Sequence, residues 1–156
     1  MKFVFILISI IGGSIYAASV PVKNQTTVQR LPAVASPTPI PVNYADVDRY
    51  VDESAGRFST SQAQKNAIKV KLHFLLLKES GYGTNTNCGD GGLSCGPLQF
   101  REPTWQGYRK IMLKKGIISD IGSRWNMKQS IETAAWAIAD GREMAWGPLR
   151  RGELDL

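Results

Sequence analysis

After residue 43 the apolar positions of the chain fall at helical spacing over three stretches, and lose that spacing in between. Tyr44, Val47, Val51 and Ala55 share one helix face, and Gly56 ends the pattern. Ser59 followed by Gln62 has the spacing of a capping box and opens a second helix. On it Ala63, Ala67, Val70, Phe74 and Leu77 recur at helical spacing, with Gly81 as the stop. Residues 82–100 have no helical period; they are rich in Gly, Asn and Thr, with a short apolar end from Leu98 to Phe100. That composition predicts a loop or a small hairpin. Pro103 suits the first position of a third helix that runs to Lys114 and Lys115 and stops at Gly116. Residues 117–125 are ambiguous, compatible with one short helix or with irregular chain. Asn126 with Gln129 makes another capping box, opening a helix with the stripe Ile131, Ala134, Ala135, Ile138 and ending at Gly141. The expected fold class is therefore mainly α, with helices around an irregular or hairpin insertion at about residues 82–100.

The first 43 residues follow other rules. Lys2 precedes a continuous apolar run over residues 3–11, then Gly12, Gly13 and Ser14, then Ala17 and Ala18. A short positive start, an apolar core and small residues make a signal-peptide pattern over residues 1–17. The run is shorter than the roughly 20 residues that a membrane span needs, and no other stretch is apolar enough to span a bilayer. Residues 18–43 hold Pro21, Pro32, Pro37, Pro39 and Pro41, five of the 8 prolines. Such a segment lacks helix donors and favours extended chain, so it reads as a linker before a single domain at 44–156.

Export leads to an oxidising compartment, where Cys88 and Cys95, the only 2 cysteines, most simply form one bridge. They are not a redox Cys-x-x-Cys pair, and without a second pair they make no zinc site. The formal charge of +6, less Lys2 on leader removal, draws the chain towards polyanions. Outside a cell the available polyanion is a cell-wall or membrane surface; no nucleic-acid-binding motif is present, and no nucleic-acid partner is expected.

The densest chemistry lies at residues 78–105. Glu79 falls on the last turn of the second helix, where the partial negative charge of the helix end disfavours a carboxylate. Burial against Phe74, Leu76 or Leu77 acts in the same direction. Both raise the pKa, as a general acid working near neutral pH requires. The plain alternative is a solvated Glu beside Lys78. Asp90 follows across a loop whose glycines, Gly81, Gly83, Gly89, Gly91 and Gly92, let backbone approach a ligand. Two carboxylates on opposite walls of a groove are the minimum for cleaving a glycosidic bond, one protonating the leaving oxygen and one stabilising the sugar cation.

These residues resemble a family. Glu79-Ser80-Gly81, Asp90, Ser94-Cys95-Gly96, Gln99, Glu102-Pro103 and Trp105 look like the core signature of invertebrate-type lysozymes. The same stretch, with Thr104–Trp105, is similar more loosely to lytic transglycosylases and resuscitation-promoting factors. The closing segment IETAAWAIADGREMAWGP is similar to that group in outline. The resemblance implies an α+β lysozyme-like fold and cleavage of peptidoglycan or a related amino-sugar polymer. It makes Glu79 the general acid and Asp90 the second carboxylate, and it implies no cofactor and no metal. The family is cysteine-rich where this chain has 2, and the step from Asp90 to Cys95 is about one residue short. The alternative is a single-acid transglycosylase, in which the substrate's own hydroxyl forms an anhydro-sugar end. A non-catalytic glycan-binding module is a third reading.

Around that pair, Ser80, Gln99, Thr104 and Trp105 are expected to bind substrate, with Gln99 suited to an acetamido group or else to a plain turn contact, and Trp105 to stacking near the cleft. Cys88–Cys95 is expected to staple the loop that carries Asp90. Trp125, Trp136 and Trp146 read as core, His73 as structural, and Tyr82 and Tyr108 as cleft walls. Asn85, Asn87 and Asp90 have too few acidic ligands for a calcium loop.

Overall fold

A computed structural model describes residues 43–154. The expected leader and all but the last residue of the expected linker lie outside them. That last residue, Asn43, caps α1 (Tyr44–Phe58): its Oδ1 accepts the Ala45 N–H at 3.1 Å. α2 is Gln62–Ser80, α3 Glu102–Lys114 and α4 Met127–Ala139. A two-residue antiparallel hairpin, β1 (Ser94–Cys95) with β2 (Phe100–Arg101), follows a 3-10 turn at Asp90–Gly92. The chain closes with a 3-10 turn at Glu143–Ala145 and the short helix α5 (Gly147–Arg150). The described residues are mainly helical, and the insertion expected at 82–100 is the hairpin.

α4 is the centre of the core. Every residue from Thr133 to Ile138 is buried, along with Ser130 and Ile131. A helix buried on nearly all sides has to be apolar all round, which Ala134, Ala135 and Ala137 allow at close approach. Val47, Val51 and Ala55 of α1 and Ile68, Leu72, Leu75 and Leu76 of α2 complete the same cluster. Leu98, Phe100, Trp105 and Trp146 extend it beneath the hairpin, with Phe100 meeting Trp105 and Trp146 edge-on at 5.4 and 5.1 Å between ring centroids.

Five local expectations need correction. Gly56 does not end α1, which runs on to Phe58, and Tyr44 is 57% exposed rather than part of the buried face. The cap of α2 is Ser61, whose Oγ accepts the Gln64 N–H at 3.1 Å, while Gln64 reaches back to the Thr60 N–H at 2.7 Å. A Ser-Thr-Ser run at 59–61 offers several caps, and the box falls two residues later than Ser59. Pro103 is the second residue of α3, because the helix opens at Glu102. Residues 117–125 form no helix: the Asp120 and Ile121 carbonyls accept from the Arg109 guanidinium at 3.0 and 2.9 Å, and so do not bond helical amides.

The buried face of α2 also differs. Val70 and Leu77 are 43% and 56% exposed, and the face turned to the core is Ile68, Leu72, Leu75 and Leu76. Both stripes have helical spacing. The one that wins carries four large aliphatic side chains, which bury more apolar area than a stripe containing two alanines.

Candidate functional site

Glu79 stands near the C-terminal end of α2, and the turn beyond it is tightly built. Gly81 adopts φ 57°, and its N–H bonds the Leu77 carbonyl at 3.1 Å while the Tyr82 N–H returns to Leu76 at 2.8 Å. This is the glycine-terminated helix end that exhausts the last carbonyls. Ser80, expected at the substrate, is 4% exposed; its Oγ accepts the Gly83 N–H at 2.7 Å. It holds the turn behind Glu79 and presents no free hydroxyl to a ligand.

The groove beside Glu79 is a cavity of about 400 Å³ whose lining includes Asp90, Ser94, Gln99 and Thr104. Its far wall is Ala145, Trp146, Gly147, Arg150 and Arg151, and Arg101 completes the hairpin side. Glu79 and Asp90, 11 positions apart in sequence, therefore face one space. Burial raises the Glu79 carboxyl to a pKa of about 6. The charge of Asp90 adds to the rise, Arg151 opposes it and Glu153 supports it.

Asp90 itself is exposed, at the start of the 3-10 turn, with φ 50°. Among non-glycine residues Asp is one of the few that tolerate this left-handed geometry. Its Oδ2 accepts the Ser94 hydroxyl at 3.0 Å, which ties the carboxylate to β1. Cys88 and Cys95 form the disulfide, and the loop it closes carries Asp90. The Gly89 N–H bonds the Ser94 carbonyl at 2.8 Å inside the same loop.

Gln99 lies at the groove but is occupied. Its Oε1 accepts the Gly89 N–H at 3.1 Å, and its Nε2 donates to the Asn87 and Gly96 carbonyls at 3.0 and 2.9 Å. The side chain braces the disulfide loop from within, with both amide protons used. Thr104 is half-buried on the groove wall. Trp105 is not: at 1% exposure it packs into the core under Phe100 and Arg109, and offers no face for stacking. A bulky aromatic on the apolar stripe of α3 gains more from burial than from the cleft.

Trp146, read as core, is buried and also lines the groove. Its indole N–H donates to the Leu98 carbonyl at 3.0 Å, fixing the C-terminal wall to the hairpin. Trp136 is core, whereas Trp125 is 37% exposed. Tyr82 packs near His73 and Tyr44, at 5.9 and 6.0 Å between centroids, and Tyr108 packs on Trp136; neither lines the groove. The arginines of the groove had no part in the sequence reading. Arg150 and Arg151 follow the Trp146-Gly147-Pro148 turn, and that placement was the signal for them.

Among the described residues no group of three or more His, Cys, Asp or Glu side chains is set to hold a metal ion. No helix among them is long and apolar enough to cross a membrane. Comparison with protein-family profiles, with curated proteins and with solved structures finds no match to the chain.

Proposed function

We propose that this chain is an exported glycosidase of lysozyme type that cleaves the glycan of bacterial peptidoglycan. The observation that carries the reading is the pairing in one groove of Glu79, with a pKa raised to about 6, and the exposed carboxylate of Asp90. Glu79 is the proton donor to the glycosidic oxygen. Asp90, in the wetter position, faces the positive charge that develops on the sugar ring. The environments of the two carboxylates differ in the sense that this division of labour needs. The leader pattern, the disulfide and the basic charge suit work at an anionic wall outside the cell.

Lysis of cell-wall suspensions tests it. Glu79→Gln should abolish clearing with the circular dichroism of the protein unchanged; a variant that clears at the normal rate removes the assignment.

The second reading is the single-acid transglycosylase. It is favoured by the engagement of Asp90 Oδ2 with Ser94, which leaves that carboxylate already committed on one oxygen. Mass analysis of the product ends separates the two: a reducing end means hydrolysis and an anhydro end means transglycosylation. Asp90→Asn should cost hydrolysis at least a hundredfold, within the range typical of losing a positioned catalytic group, and leave transglycosylation nearly intact.

A further inference from the structure

Three arginines line the groove that holds Glu79. Arg101 comes from β2 on the hairpin side; Arg150 and Arg151 come from the end of the C-terminal wall. Their charges are not equally available. Arg151 donates from Nε to Glu153 Oε1 at 2.6 Å, and Glu153 also lies 3.6 Å from Lys78. Arg101 and Arg150 have no ion-pair partner among the described residues. Lys110 and Lys114 of α3 are likewise unpaired among the described residues, whereas many other cations on the helices are engaged. Arg49 pairs with Asp46 and Glu53, Lys65 and Lys69 share Asp52, Lys71 holds Glu143, and Arg142 holds Asp140.

A neutral glycan presents hydroxyl and acetamido groups, which hydroxyls, carbonyls and amides serve without net charge. A guanidinium fork matches a carboxylate, with two parallel hydrogen bonds and full charge complementarity. Two such forks on two walls of one groove, neither of them ion-paired with the Glu79 or Asp90 that share it, suit an anionic ligand.

We propose that Arg101 and Arg150 read carboxylates on the polymer, making the groove selective for acidic amino-sugar glycans over neutral ones. The inference rests on the reading of this groove as the polymer site, but not on cleavage. Its ligand is a glycan whose alternate sugar bears a free carboxylate, either directly or on a short peptide branch.

Titration calorimetry on the Glu79→Gln protein tests it with the polymer left uncut. Three soluble ligands are compared: peptidoglycan fragments with free carboxylates, the same fragments with those carboxylates capped as amides, and neutral chitin oligomers. The free acid should bind about tenfold or more tightly than the other two, and the preference should shrink as salt rises. Arg101→Gln and Arg150→Gln should each weaken the acid ligand about three- to tenfold and leave the capped ligand unchanged. Arg150→Lys should keep part of the preference. Lys110→Gln, an equal change of charge on an exposed position of α3 outside the groove, should keep all of it.

Equal binding of capped and free ligands overturns the inference, as does a loss in Lys110→Gln matching that in the arginine variants. The wild-type protein separates this result from the catalytic reading. Glu79-dependent cleavage without charge preference removes the arginine inference alone. Charge-selective binding with no cleavage removes the glycosidase and leaves the inference standing.

Discussion

At the scale of single residues, the telling group is Glu79. Its pKa of about 6 follows from burial first and from Asp90 second. A general acid has to be protonated, so activity should fall about tenfold per pH unit above pH 6. Asp90→Asn removes a raising charge and should move that limb to lower pH. Arg151→Gln removes an opposing one and should move it higher. A pH–rate profile that is unmoved in both variants would detach the limb from Glu79. The same shift has a stability consequence. Between the ordinary value of 4.5 and the folded value of about 6, the folded state binds more protons than the unfolded state. Stability therefore declines as pH rises through that window. Glu79→Gln should abolish the decline and be more stable at pH 7 by about 1 kcal/mol, after allowance for solvent screening. Its advantage should vanish below pH 4.5, and chemical denaturation at both pH values reads it.

At the scale of elements, Arg109 is the residue on which the irregular segment 117–125 depends. It is 2% exposed, on the stripe Trp105, Arg109, Met112 of α3. It bonds the carbonyls of Asp120 and Ile121, and its Nη1 meets Glu132 at 2.9 Å. Arg57 also holds Glu132, so the carboxylate retains one partner if Arg109 is lost. Arg109→Met should still cost about 3 kcal/mol, because two carbonyls lose their donors and a paired charge is removed from the interior. Urea unfolding measures this; a loss under 1 kcal/mol would mean that the segment holds itself. The disulfide acts on the loop that leads into the hairpin. Replacing both Cys88 and Cys95 with Ser should cost about 2.5 kcal/mol, the chain-entropy value for so short a ring. If the staple also orients Asp90, Asp90-dependent activity should fall further than stability does.

The Asn126 cap and the Gly81 stop were legible because they depend on neighbours three or four residues away, whereas Gly56 and Ser59 are not the stop and cap that local spacing suggests. Asn126 and Gly81 act as the sequence alone says, since their chemistry is local. The buried side of α2 was not legible: that helix is apolar in two directions, and only contact with α1 and α4 chooses between them. Trp105 and Trp146 show the same limit at the site. Which tryptophan borders a groove is decided by chain segments 48 positions apart, Trp146 being held by Leu98. Glu79 and Asp90 were legible as a pair because the loop between them is short and glycine-rich. The arginines were not, because Arg150 and Arg151 arrive from the far end of the chain.

For the molecule as a whole, the core and the groove are set apart. Val51, Leu72 and Ile131 are fully buried among α1, α2 and α4, while the groove lies between the end of α2, the hairpin and the C-terminal wall. Ile131→Ala should therefore cost about 3 kcal/mol by cavity formation and leave the pH midpoint of activity unmoved. A shifted midpoint would show that the two regions are mechanically one. The Lys71–Glu143 pair, at 2.6 Å, joins α2 to the segment that bears the C-terminal wall. The groove is assembled from the middle of the described chain and from its C-terminal end.

The indole of Trp146 turns that assembly into an optical signal. It borders the groove while its N–H is held by Leu98, so a ligand entering beside it changes the polarity around a chromophore of fixed orientation. Trp105 and Trp136 are buried elsewhere, and Trp125 alone is appreciably wet. Trp125→Phe should strip the red-shifted component from the emission spectrum and leave Trp146 as the groove's own fluorophore. Occupancy by an unlabelled polymer then becomes readable in real time, in the native protein, without a dye.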